Sequence, residues 1–578
     1  MSAADPGRAF IVGLTTGAAA ALAIAIVYDK ILRKRVGEFS NPHWGLKTVR
    51  ATVPGADGGT PKLKPVESQE GGRGRERRSS REEAERGLKK CFSSTKSLVT
   101  ALPADFQKKH PKGCGVDLLP TGITLSDVLL LPVPHLGQFY EAQNATNALG
   151  SGGHHDYSQF TGAQDVILGD IVRKAGQSPV SRGYLRAGPR KTLYFNPKQV
   201  KAAIVTCGGL CPGLNNIVRE ITKSLLNLYS VPKVYGIRGG YWGFHQDGEP
   251  PIDLTHTSVS GIQHLGGTVL GSARGGYDLD KILSFCKLYE ISQLYIVGGD
   301  GTHRAANKVG LEALARKLNL SVAGIPKTID NDLDLVDRTF GFNSAVMAAQ
   351  DAITSAAVEA RCNLPNGIGI VKLMGRHAGF IAAHATLASG EVDLCLVPEV
   401  PIELEGTYGV MPHIERVLKT KGKAVIVVAE GAGEELVGAA AGVDAGGNKK
   451  LPEIGPFFKD AVNAYFKKKN TTVNVKYIDP SYMIRSVPAN ASDSLFCMLL
   501  AQNAVHGSMA GYTCFTTGLC CNRTVYLPIP ALVENSPRKM DAAGRTWERI
   551  ISVTGQPNRP VDKSKHVNDS AVQPATVF

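Results

Sequence analysis

The sequence lacks the cysteine and glycine patterns that identify metal-stabilised, disulfide-stabilised and fibrous proteins. Its 11 cysteines form no CxxC pair and no ladder with histidine, and the adjacent Cys520 and Cys521 are poorly spaced for a metal site. A chain of 578 residues is too long to depend on a small disulfide framework. The 64 glycines have no three-residue period, which excludes collagen. We therefore expect buried thiols and a reducing compartment.

The composition is that of a globular protein with a sizeable core. Hydrophobic residues make up 43% of the chain and charged residues 20%, which excludes global disorder. At roughly 150 residues per domain, the chain has room for about two to four domains. Much of the formal net charge of +14 falls in the N-terminal fifth. The charge therefore gives no reason to expect a nucleic acid partner for the core.

An uncharged, apolar stretch covers residues 9–28. Twenty helical residues at about 1.5 Å each span the roughly 30 Å hydrocarbon core of a bilayer. Basic residues follow within seven positions, so a spanning helix would leave the catalytic body in the cytoplasm. We weigh this membrane tether against an organelle-targeting role, such as import into a plastid, and against no targeting role. A secretory signal is disfavoured because its basic residues usually precede the apolar run.

The apolar segment and its basic flank occupy residues 1–50, and residues 51–110 are predicted to be a disordered linker. The linker is rich in glycine, proline and charge and has no apolar periodicity. Its arginine-rich stretch interleaves glutamates and has no aromatic residues, which argues against nucleic acid binding.

From residue 201 the chain alternates short apolar runs with helical patterns. The run KAAIVTCGGLCPGLNN predicts a strand, a glycine-rich loop and the start of a helix. Further strands are predicted in SQLYIVGGDGT, SVAGIPKTIDND, GIGIVKLMGR and KAVIVVAEGAG. This alternation predicts a mostly parallel sheet that binds ligands at the carboxyl ends of its strands. The polar residues of these runs all follow the strand ends.

These polar residues have the chemistry that phosphoryl transfer needs. Asp300 in GGDGT suits a phosphate-bound Mg²⁺, although an Asp there could also only cap a helix. Asp330 and Asp332 are predicted to face one way from an extended segment, so that Asp330 acts as a base and Asp332 holds the segment or the metal. An ordinary Asp/Asn turn is the alternative. Arg376 and Arg485 follow strand ends and could bind phosphate bidentately. Together they predict transfer from a polyphosphate to a phosphorylated acceptor.

Seven ordered motifs closely resemble those of the phosphofructokinase family: CGGLCPGLNN, LGSARGG, GGDGT, PKTIDND, LMGRHAG, AEGAG and IDPSYMIR. The resemblance runs from about residue 186 to about residue 558. The RAGPR leader, the CGGLCPG loop and IDPSYMIR look like the plant-type ATP-dependent branch of the family. It implies phosphorylation of D-fructose 6-phosphate at its 1-hydroxyl, a committed step of glycolysis, with ATP as co-substrate and Mg²⁺ as cofactor. It also implies a homo-oligomer, either a dimer or a tetramer.

The resemblance implies an α/β fold of the phosphofructokinase type, with two Rossmann-like α/β domains and the active site in the cleft between them. The nucleotide-binding domain is expected at residues 201–340 plus about 486–540. The fructose 6-phosphate-binding domain is expected at residues 341–485. Residues 111–200 form an N-terminal extension in this scheme, and residues 541–578 form a C-terminal segment.

The resemblance also implies roles for individual residues. Asp330, Arg376 and Thr328 are expected to be catalytic, and Asp300 is expected to bind the metal. The residues expected to bind ATP are Gly209, Tyr241, Arg274, Gly275, Gly299, Asp300, Gly301 and Thr302. The residues expected to bind the sugar phosphate are Thr328, Ile329, Asp330, Met374, Gly375, Arg376, Glu430, Lys476, Tyr482, Met483, Ile484 and Arg485.

Gly301 and Lys327 give opposite indications of the phosphoryl donor. Relatives that use pyrophosphate carry Asp after GGD and Lys before TID, whereas this chain has Gly301 together with Lys327. We follow Gly301, because a carboxylate there would repel a nucleotide's α-phosphate while a lysine can be tolerated. The alternative is a pyrophosphate-dependent fructose 6-phosphate 1-phosphotransferase. Gly367 replaces an arginine that bacterial relatives take from a neighbouring subunit, and Lys476 could match another cross-subunit basic residue.

Other classes of protein fit the sequence less well. NAD kinases and lipid kinases share GGDGT but should lack PKTIDND followed by MGR. A regulatory subunit without activity would be expected to have lost a base or a metal ligand, yet Asp300, Asp330 and Arg376 are all present. A Rossmann oxidoreductase is disfavoured because no GxGxxG opens a strand-helix unit.

Overall fold

The structure is a computed structural model that describes residues 128–147, 149, 160–170, 181–438, 442 and 451–558. The predicted anchor or targeting segment and the predicted linker lie outside these residues, as does the C-terminal segment from residue 559 onward. In the described ranges, no helix is both long enough and apolar enough to cross a membrane.

The described residues contain sixteen β-strands: β1 (Val128–Leu130), β2 (Ala145–Thr146), β3 (Val166–Leu168), β4 (Ser181–Arg186), β5 (Thr192–Leu193), β6 (Lys201–Thr206), β7 (Lys233–Ile237), β8 (Ile252–Asp253), β9 (Gln293–Gly298), β10 (Ser321–Pro326), β11 (Gly367–Leu373), β12 (Leu394–Leu396), β13 (Lys423–Ala429), β14 (Asn474–Ile478), β15 (Phe515–Cys520) and β16 (Arg523–Pro528).

The α-helices of the same residues are α1 (Leu214–Lys223), α2 (Leu279–Leu288), α3 (Asp300–Ala315), α4 (Phe342–Cys362), α5 (Phe380–Ser389), α6 (Val410–Lys421), α7 (Glu434–Val437), α8 (Ile454–Lys468), α9 (Ser481–Arg485), α10 (Ala491–Met509), α11 (Ile529–Glu534) and α12 (Arg545–Thr554).

Two sheets carry the fold. Among the described residues, the larger has ten strands in the order β1-β4-β16-β15-β10-β9-β6-β7-β8, with β3 paired to β4 outside that path. Its centre is parallel, from β15 through β10, β9 and β6 to β7. The smaller sheet has the order β12-β13-β11-β14 and is parallel throughout. Strands β2 and β5 form a separate antiparallel pair.

The five strands predicted from apolar runs after residue 201 are all present, as β6, β9, β10, β11 and β13. Every residue of β9 and β10 is buried. Burial along a whole strand is expected when helices cover both faces of a parallel sheet, because neither face is left to water. The prediction of a mostly parallel α/β fold is confirmed.

Each sheet has its own hydrophobic core. The core of the larger sheet draws on residues between Ala203 and Val322 and on Ile529 and Val533. The core of the smaller sheet draws on residues between Phe342 and Ile484, and also on Met540, Trp547 and Ile550. The C-terminal segment up to residue 558 therefore packs against the smaller sheet. Strands β1, β3 and β4 of the N-terminal extension join the larger sheet. The exact domain boundaries stay predictions.

A remote carboxylate caps the helix α4. This helix begins after Gly341, whose side chain cannot accept a hydrogen bond from the free N–H groups of the first turn. Asp493, in the first turn of α10, supplies the acceptor instead. Its Oδ2 accepts from the Ser344 backbone N–H at 2.7 Å and from Ser344 Oγ at 2.6 Å. The hydrogen bonds from Ser344 thereby attach α10 to the start of α4, which packs in the core of the smaller sheet.

We predict that Asp493→Ala destabilises the protein by about 2 kcal/mol, because the buried Ser344 N–H loses its acceptor. Ser492→Ala is the matched control, since Ser492 Oγ bonds the exposed amide of Asn343. The control should cost no more than about 0.5 kcal/mol. Urea unfolding midpoints of the two variants measure the difference, and equal midpoints would show that the cap contributes nothing.

Candidate active site

The first part of the site is the loop between β6 and α1. Gly213 ends this loop with φ +101°, a left-handed conformation that favours glycine. The Gly208 N–H donates to the Ala273 carbonyl at 3.0 Å, and Ser272 Oγ donates to the Gly208 carbonyl at 2.6 Å. The strand, loop and helix are present as predicted. The hydrogen bonds place the loop beside the turn that contains Arg274.

Lys327 connects the same loop to the end of β10. Its Nζ donates to the Gly209 carbonyl at 2.7 Å, and its backbone N–H donates to the Gly298 carbonyl at 2.9 Å. Burial lowers the pKa of the Lys327 amine, and the charge of Arg274 lowers it further. The lysine is thus engaged with the protein's own loop, which is a contact that sequence reasoning did not assign to it.

Asp300 is the first residue of α3 and follows β9 directly after Gly299. The first backbone N–H groups of a helix have no partner inside the helix, and they favour an anion. At Gly301, apart from adjoining backbone, no described atom lies within 4 Å of the position that a Cβ would take. The turn from Gly299 to Thr302 therefore offers N–H donors, a carboxylate and open space together.

Asp330 and Asp332 do not lie on the extended segment that the sequence analysis expects. Asn331 between them has φ +59°, so the chain bends after β10. Asparagine tolerates this conformation, and its Oδ1 accepts from the Thr339 N–H at 2.8 Å. Thr328 Oγ1 donates to Asp332 Oδ1 at 2.7 Å and accepts from the Asp330 N–H at 3.2 Å. The prediction of an extended segment is wrong, and a bend fixed by Thr328 replaces it.

Asp330 has a carboxylate oxygen that its surroundings leave unsatisfied. Oδ1 is buried and has no hydrogen-bond partner within the part of the chain that the structure describes. Burial raises the pKa of Asp330 well above its usual range, and the charges of Asp332 and Glu430 raise it further. Arg376 and Lys327 partly offset these effects. A buried acid with a strongly shifted pKa at a strand end is typical of a functional group.

The smaller sheet brings Arg376 and Glu430 towards Asp330. Arg376 follows β11 after Met374 and Gly375, and Glu430 follows β13, which pairs with β11 up to the last residue of both strands. The Glu430 N–H donates to the Leu373 carbonyl at 2.9 Å. Burial raises the pKa of Glu430, and the Arg376 charge opposes that rise. The carboxyl ends of both sheets therefore supply charged groups to one cleft.

The short helix α9 carries the remaining predicted substrate-binding residues. The Arg485 guanidinium lies 4.7 Å from the centre of the Tyr482 ring, and its charge lowers the pKa of Glu430. Ile484 is buried, whereas Tyr482 and Met483 are 75% and 73% exposed. Arg485 thus follows the strand β14 as expected, and it is the last residue of the short helix α9.

The other two predicted residues, Tyr241 and Lys476, lie in different surroundings. The Tyr241 ring is buried in the core of the larger sheet, and its hydroxyl donates to the Thr302 carbonyl at 3.1 Å. Lys476 is exposed on β14, the edge strand of the smaller sheet. The structure therefore gathers the loops after β6, β9, β10, β11 and β13, and leaves Lys476 at the surface.

Sequence reasoning misses two arginines of the cleft. Arg304 Nη1 lies 2.5 Å from Asp300 Oδ2 one helical turn away, and the i,i+4 spacing could have revealed this pair. Arg538 donates its backbone N–H to the Asp332 carbonyl at 2.7 Å and its Nε to the Asn331 carbonyl at 3.4 Å. Arg538 is about 200 positions away in sequence, and no local pattern indicates this contact.

The geometry agrees with the comparisons to known proteins. The Phosphofructokinase family model matches residues 201–508, which is more than half of the chain. ATP-dependent 6-phosphofructokinase 7 of Arabidopsis thaliana is 48% identical over 391 residues, covering 67% of this chain and 79% of that protein. ATP-dependent 6-phosphofructokinase 5, chloroplastic, of the same plant is 47% identical over 373 residues, covering 64% of this chain and 69% of that protein.

A solved structure extends the likeness to the fold. The pyrophosphate-dependent phosphofructokinase from Marinobacter aquaeolei superposes with a TM-score of 0.51 at 20% identity, and the match covers 63% of this chain and 94% of that one. At this identity the likeness concerns the fold alone, and it confirms the predicted fold class. With the family match and the relatives of nearly half-identical sequence, these findings show that the chain belongs to the phosphofructokinase family.

Proposed function

We propose that the chain transfers the γ-phosphoryl group of ATP to the 1-hydroxyl of D-fructose 6-phosphate, giving fructose 1,6-bisphosphate and ADP. One observation carries this proposal. The buried Oδ1 of Asp330 has no hydrogen-bond partner among the described residues, and the positive charge of Arg376, which follows a strand of the other sheet, acts on the same carboxylate. The 48% identical relative named as an ATP-dependent 6-phosphofructokinase supports the choice of donor and acceptor.

Asp330 acts as the general base in this proposal. Its carboxylate accepts the proton of the 1-hydroxyl while the hydroxyl oxygen bonds to the γ-phosphorus, and the bond from that phosphorus to the bridging oxygen of ADP breaks. The Thr328 hydroxyl fixes the Asp330 backbone, so the carboxylate is already in place. Arg376 stabilises the charge on the transferred group because its guanidinium acts on Asp330 at close range and its planar fork of N–H donors matches phosphate oxygens.

The donor's phosphates bind at the turn from Gly299 to Thr302 and at Gly209, Arg274 and Gly275. Mg²⁺ fits this place because Asp300 supplies a partly exposed carboxylate oxygen, and Mg²⁺ usually takes one or two carboxylates plus phosphate oxygens. When bound, the ion would neutralise the negative charge of the donor's phosphates. Asp300 pairs with Arg304, which holds the carboxylate ready at the helix start.

The sugar phosphate binds on the side of the smaller sheet. Arg485 offers a guanidinium for the 6-phosphate, and Arg376 and Glu430 offer a cation and an acceptor for the sugar end. The wall of this subsite is formed in this proposal by Ile329, Met374 and Gly375 and by Tyr482 and Met483 of α9. The buried Ile484 attaches that helix to the core of the smaller sheet. The cation–π contact between Arg485 and Tyr482 supports the role, because it fixes a guanidinium that would otherwise be flexible.

Gly301 favours ATP over pyrophosphate, and the contact made by Lys327 is compatible with either donor. The open space at Gly301 leaves room for a nucleotide's α-phosphate. An aspartate at this position would fill the space, and its charge would repel the phosphate. The Lys327 amine already donates to the Gly209 carbonyl. The lysine therefore supports the loop between β6 and α1, here called the donor loop, whichever phosphate is bound. The pyrophosphate-dependent activity is the second candidate, and Lys327 is the feature that favours it.

The assembly and the location belong to the same proposal. Exposed Tyr482 and Met483 beside Arg485 support a homo-oligomer, a dimer or a tetramer, in which a second copy covers this face. Lys476 would reach the neighbouring subunit from the edge strand. In this proposal the catalytic body works in the cytoplasm, and residues 9–28 tether it to a membrane. The plastid is the alternative location.

A coupled assay of the full-length chain tests the proposed function. Fructose 6-phosphate is supplied with Mg²⁺ and either ATP or pyrophosphate, and formation of fructose 1,6-bisphosphate is followed. We expect turnover with ATP and little with pyrophosphate. Preferential turnover with pyrophosphate would replace the proposal by its alternative, and no turnover with either donor would reject both.

The pH profile tests the role of Asp330 as a base. Activity requires the ionised form, so it falls as the pH drops through the pKa of Asp330, and a raised pKa puts this fall at a higher pH than for an ordinary aspartate. Asp332→Asn removes a charge that raises this pKa but keeps an oxygen for the Thr328 hydroxyl. The acidic limb of kcat/KM should therefore move to lower pH. A limb that stays in place or moves upward contradicts the assignment.

Gly301→Asp tests the choice of donor. The added carboxylate would occupy the open space beside the α-phosphate, so we expect kcat/KM for ATP to fall by at least about 100-fold, a loss of about 3 kcal/mol. Gly301→Ala is the matched control, because it adds a Cβ without charge, and it should lose less than about tenfold. If the Asp variant kept the wild-type KM for ATP, the donor argument would fail.

A further inference from the structure

Two neighbouring aromatic residues, Tyr241 and Trp242, lie in opposite environments close to the turn that contains Arg274. Tyr241, which the family resemblance associates with the nucleotide base, is only 5% exposed and packs against Tyr277. Trp242, the next residue, is 51% exposed. The buried ring contributes to the core, whereas the exposed ring is available to a ligand. Nothing in the sequence motifs distinguishes these two roles.

The backbone of the turn that contains Arg274 and Gly276 holds the exposed indole of Trp242 in place. Trp242 Nε1 donates to the Arg274 carbonyl at 3.3 Å. The ring lies so close to Gly276 that a Cβ there would come within 2.7 Å of the indole, and Gly276 has φ +73°. The His245 ring packs against the indole with a distance of 4.9 Å between ring centres, and its Nε2 contacts the Gly276 carbonyl at 2.9 Å. The indole is fixed, yet half of its surface stays open.

We propose that Trp242 stacks on the adenine ring of the phosphoryl donor and so contributes to selection of a nucleotide over an inorganic polyphosphate. The inference rests on the proposed function, which puts the donor's phosphates at Arg274 and Gly275. The indole is anchored to the carbonyl of that same Arg274, so a base attached to those phosphates lies within its reach. Stacking suits an exposed, immobilised indole because little conformational entropy is lost when a flat base binds.

The substitution series Trp242→Ala and Trp242→Phe separates stacking from support of the turn. Removing a stacked ring typically weakens base binding by about ten- to hundredfold, so the KM for ATP should rise by about that factor in the Ala variant. The Phe variant keeps a ring but loses the bond to the Arg274 carbonyl, and it should stay within about threefold of wild type. The KM for fructose 6-phosphate should not change in either variant.

Inorganic tripolyphosphate is the ligand control, because it has the phosphates of ATP without a base. As a competitive inhibitor against ATP it should bind wild type and Trp242→Ala equally well. Tyr408→Ala is the variant control, since it removes another exposed aromatic ring from the turn before α6, which is not assigned to the site. This control should leave the KM for ATP unchanged.

Tryptophan fluorescence gives a readout that does not depend on turnover. The chain has three tryptophans, and Trp547 is buried in the other core. ATP should change the emission of wild type, tripolyphosphate should change it much less, and Trp242→Phe should abolish the ATP response. An unchanged ATP response in that variant would overturn the inference. Equal losses of ATP and tripolyphosphate affinity in Trp242→Ala would overturn it too, by showing that Trp242 only supports the turn.

The proposed function can fail separately from this inference. If wild type transferred no phosphate from ATP to fructose 6-phosphate, the proposed function would fail. The ATP-induced change in Trp242 emission would still report whether the indole contacts a base. Normal turnover with ATP together with unchanged ATP affinity in Trp242→Ala would leave the function standing and reject the stacking.

Discussion

The carboxylate of Asp330 is buried close to two other carboxylates. The rest of the cleft depends on the positive charges that compensate it. Burial raises its pKa, and the charges of Asp332 and Glu430 raise it further, whereas Arg376, which follows a strand of the other sheet, and Lys327, which follows the same strand as Asp330, lower it. An unpaired ionised group in such a place is costly unless cations or ligands compensate it. The two sheets must therefore meet with their carboxyl ends facing, because only then do the compensating charges of one sheet reach the acid of the other.

Local hydrogen bonds hold these charges where the fold brings them. Lys327 connects the end of β10 to the donor loop through Gly209, and Thr328 fixes the bend between the two aspartates. The segment that returns from the C-terminal side adds Arg538, whose N–H donates to the Asp332 carbonyl. In this account the donor loop, the base and the acceptor side are parts of one network. A change at one strand end is felt at the others because they share hydrogen-bond partners and charges.

The sequence predicts the strands and the loops that follow them, because continuous apolar runs and Gly-rich turns are local signals. It does not predict which distant residues form hydrogen bonds with those loops and helix ends. The cap on α4 comes from Asp493 about 150 positions later, and the contact to Asp332 comes from Arg538 about 200 positions later. Neither pair has a spacing that a reader of the sequence can use. The sequence also does not predict the left-handed backbone of Asn331 or the difference in burial between Tyr241 and Trp242. Both depend on how distant segments pack together.

Replacement of Asp330 by asparagine measures the central claim most directly, because the change removes the base while keeping the shape of the side chain. The account predicts that kcat for fructose 6-phosphate phosphorylation falls by about 10²–10⁴-fold, which is the usual contribution of a general base. Equilibrium binding of fructose 6-phosphate and of ATP should stay within about threefold of wild type, since Arg485 and the turn after β9 are untouched. Turnover near the wild-type rate would contradict the account, and so would a loss confined to substrate binding.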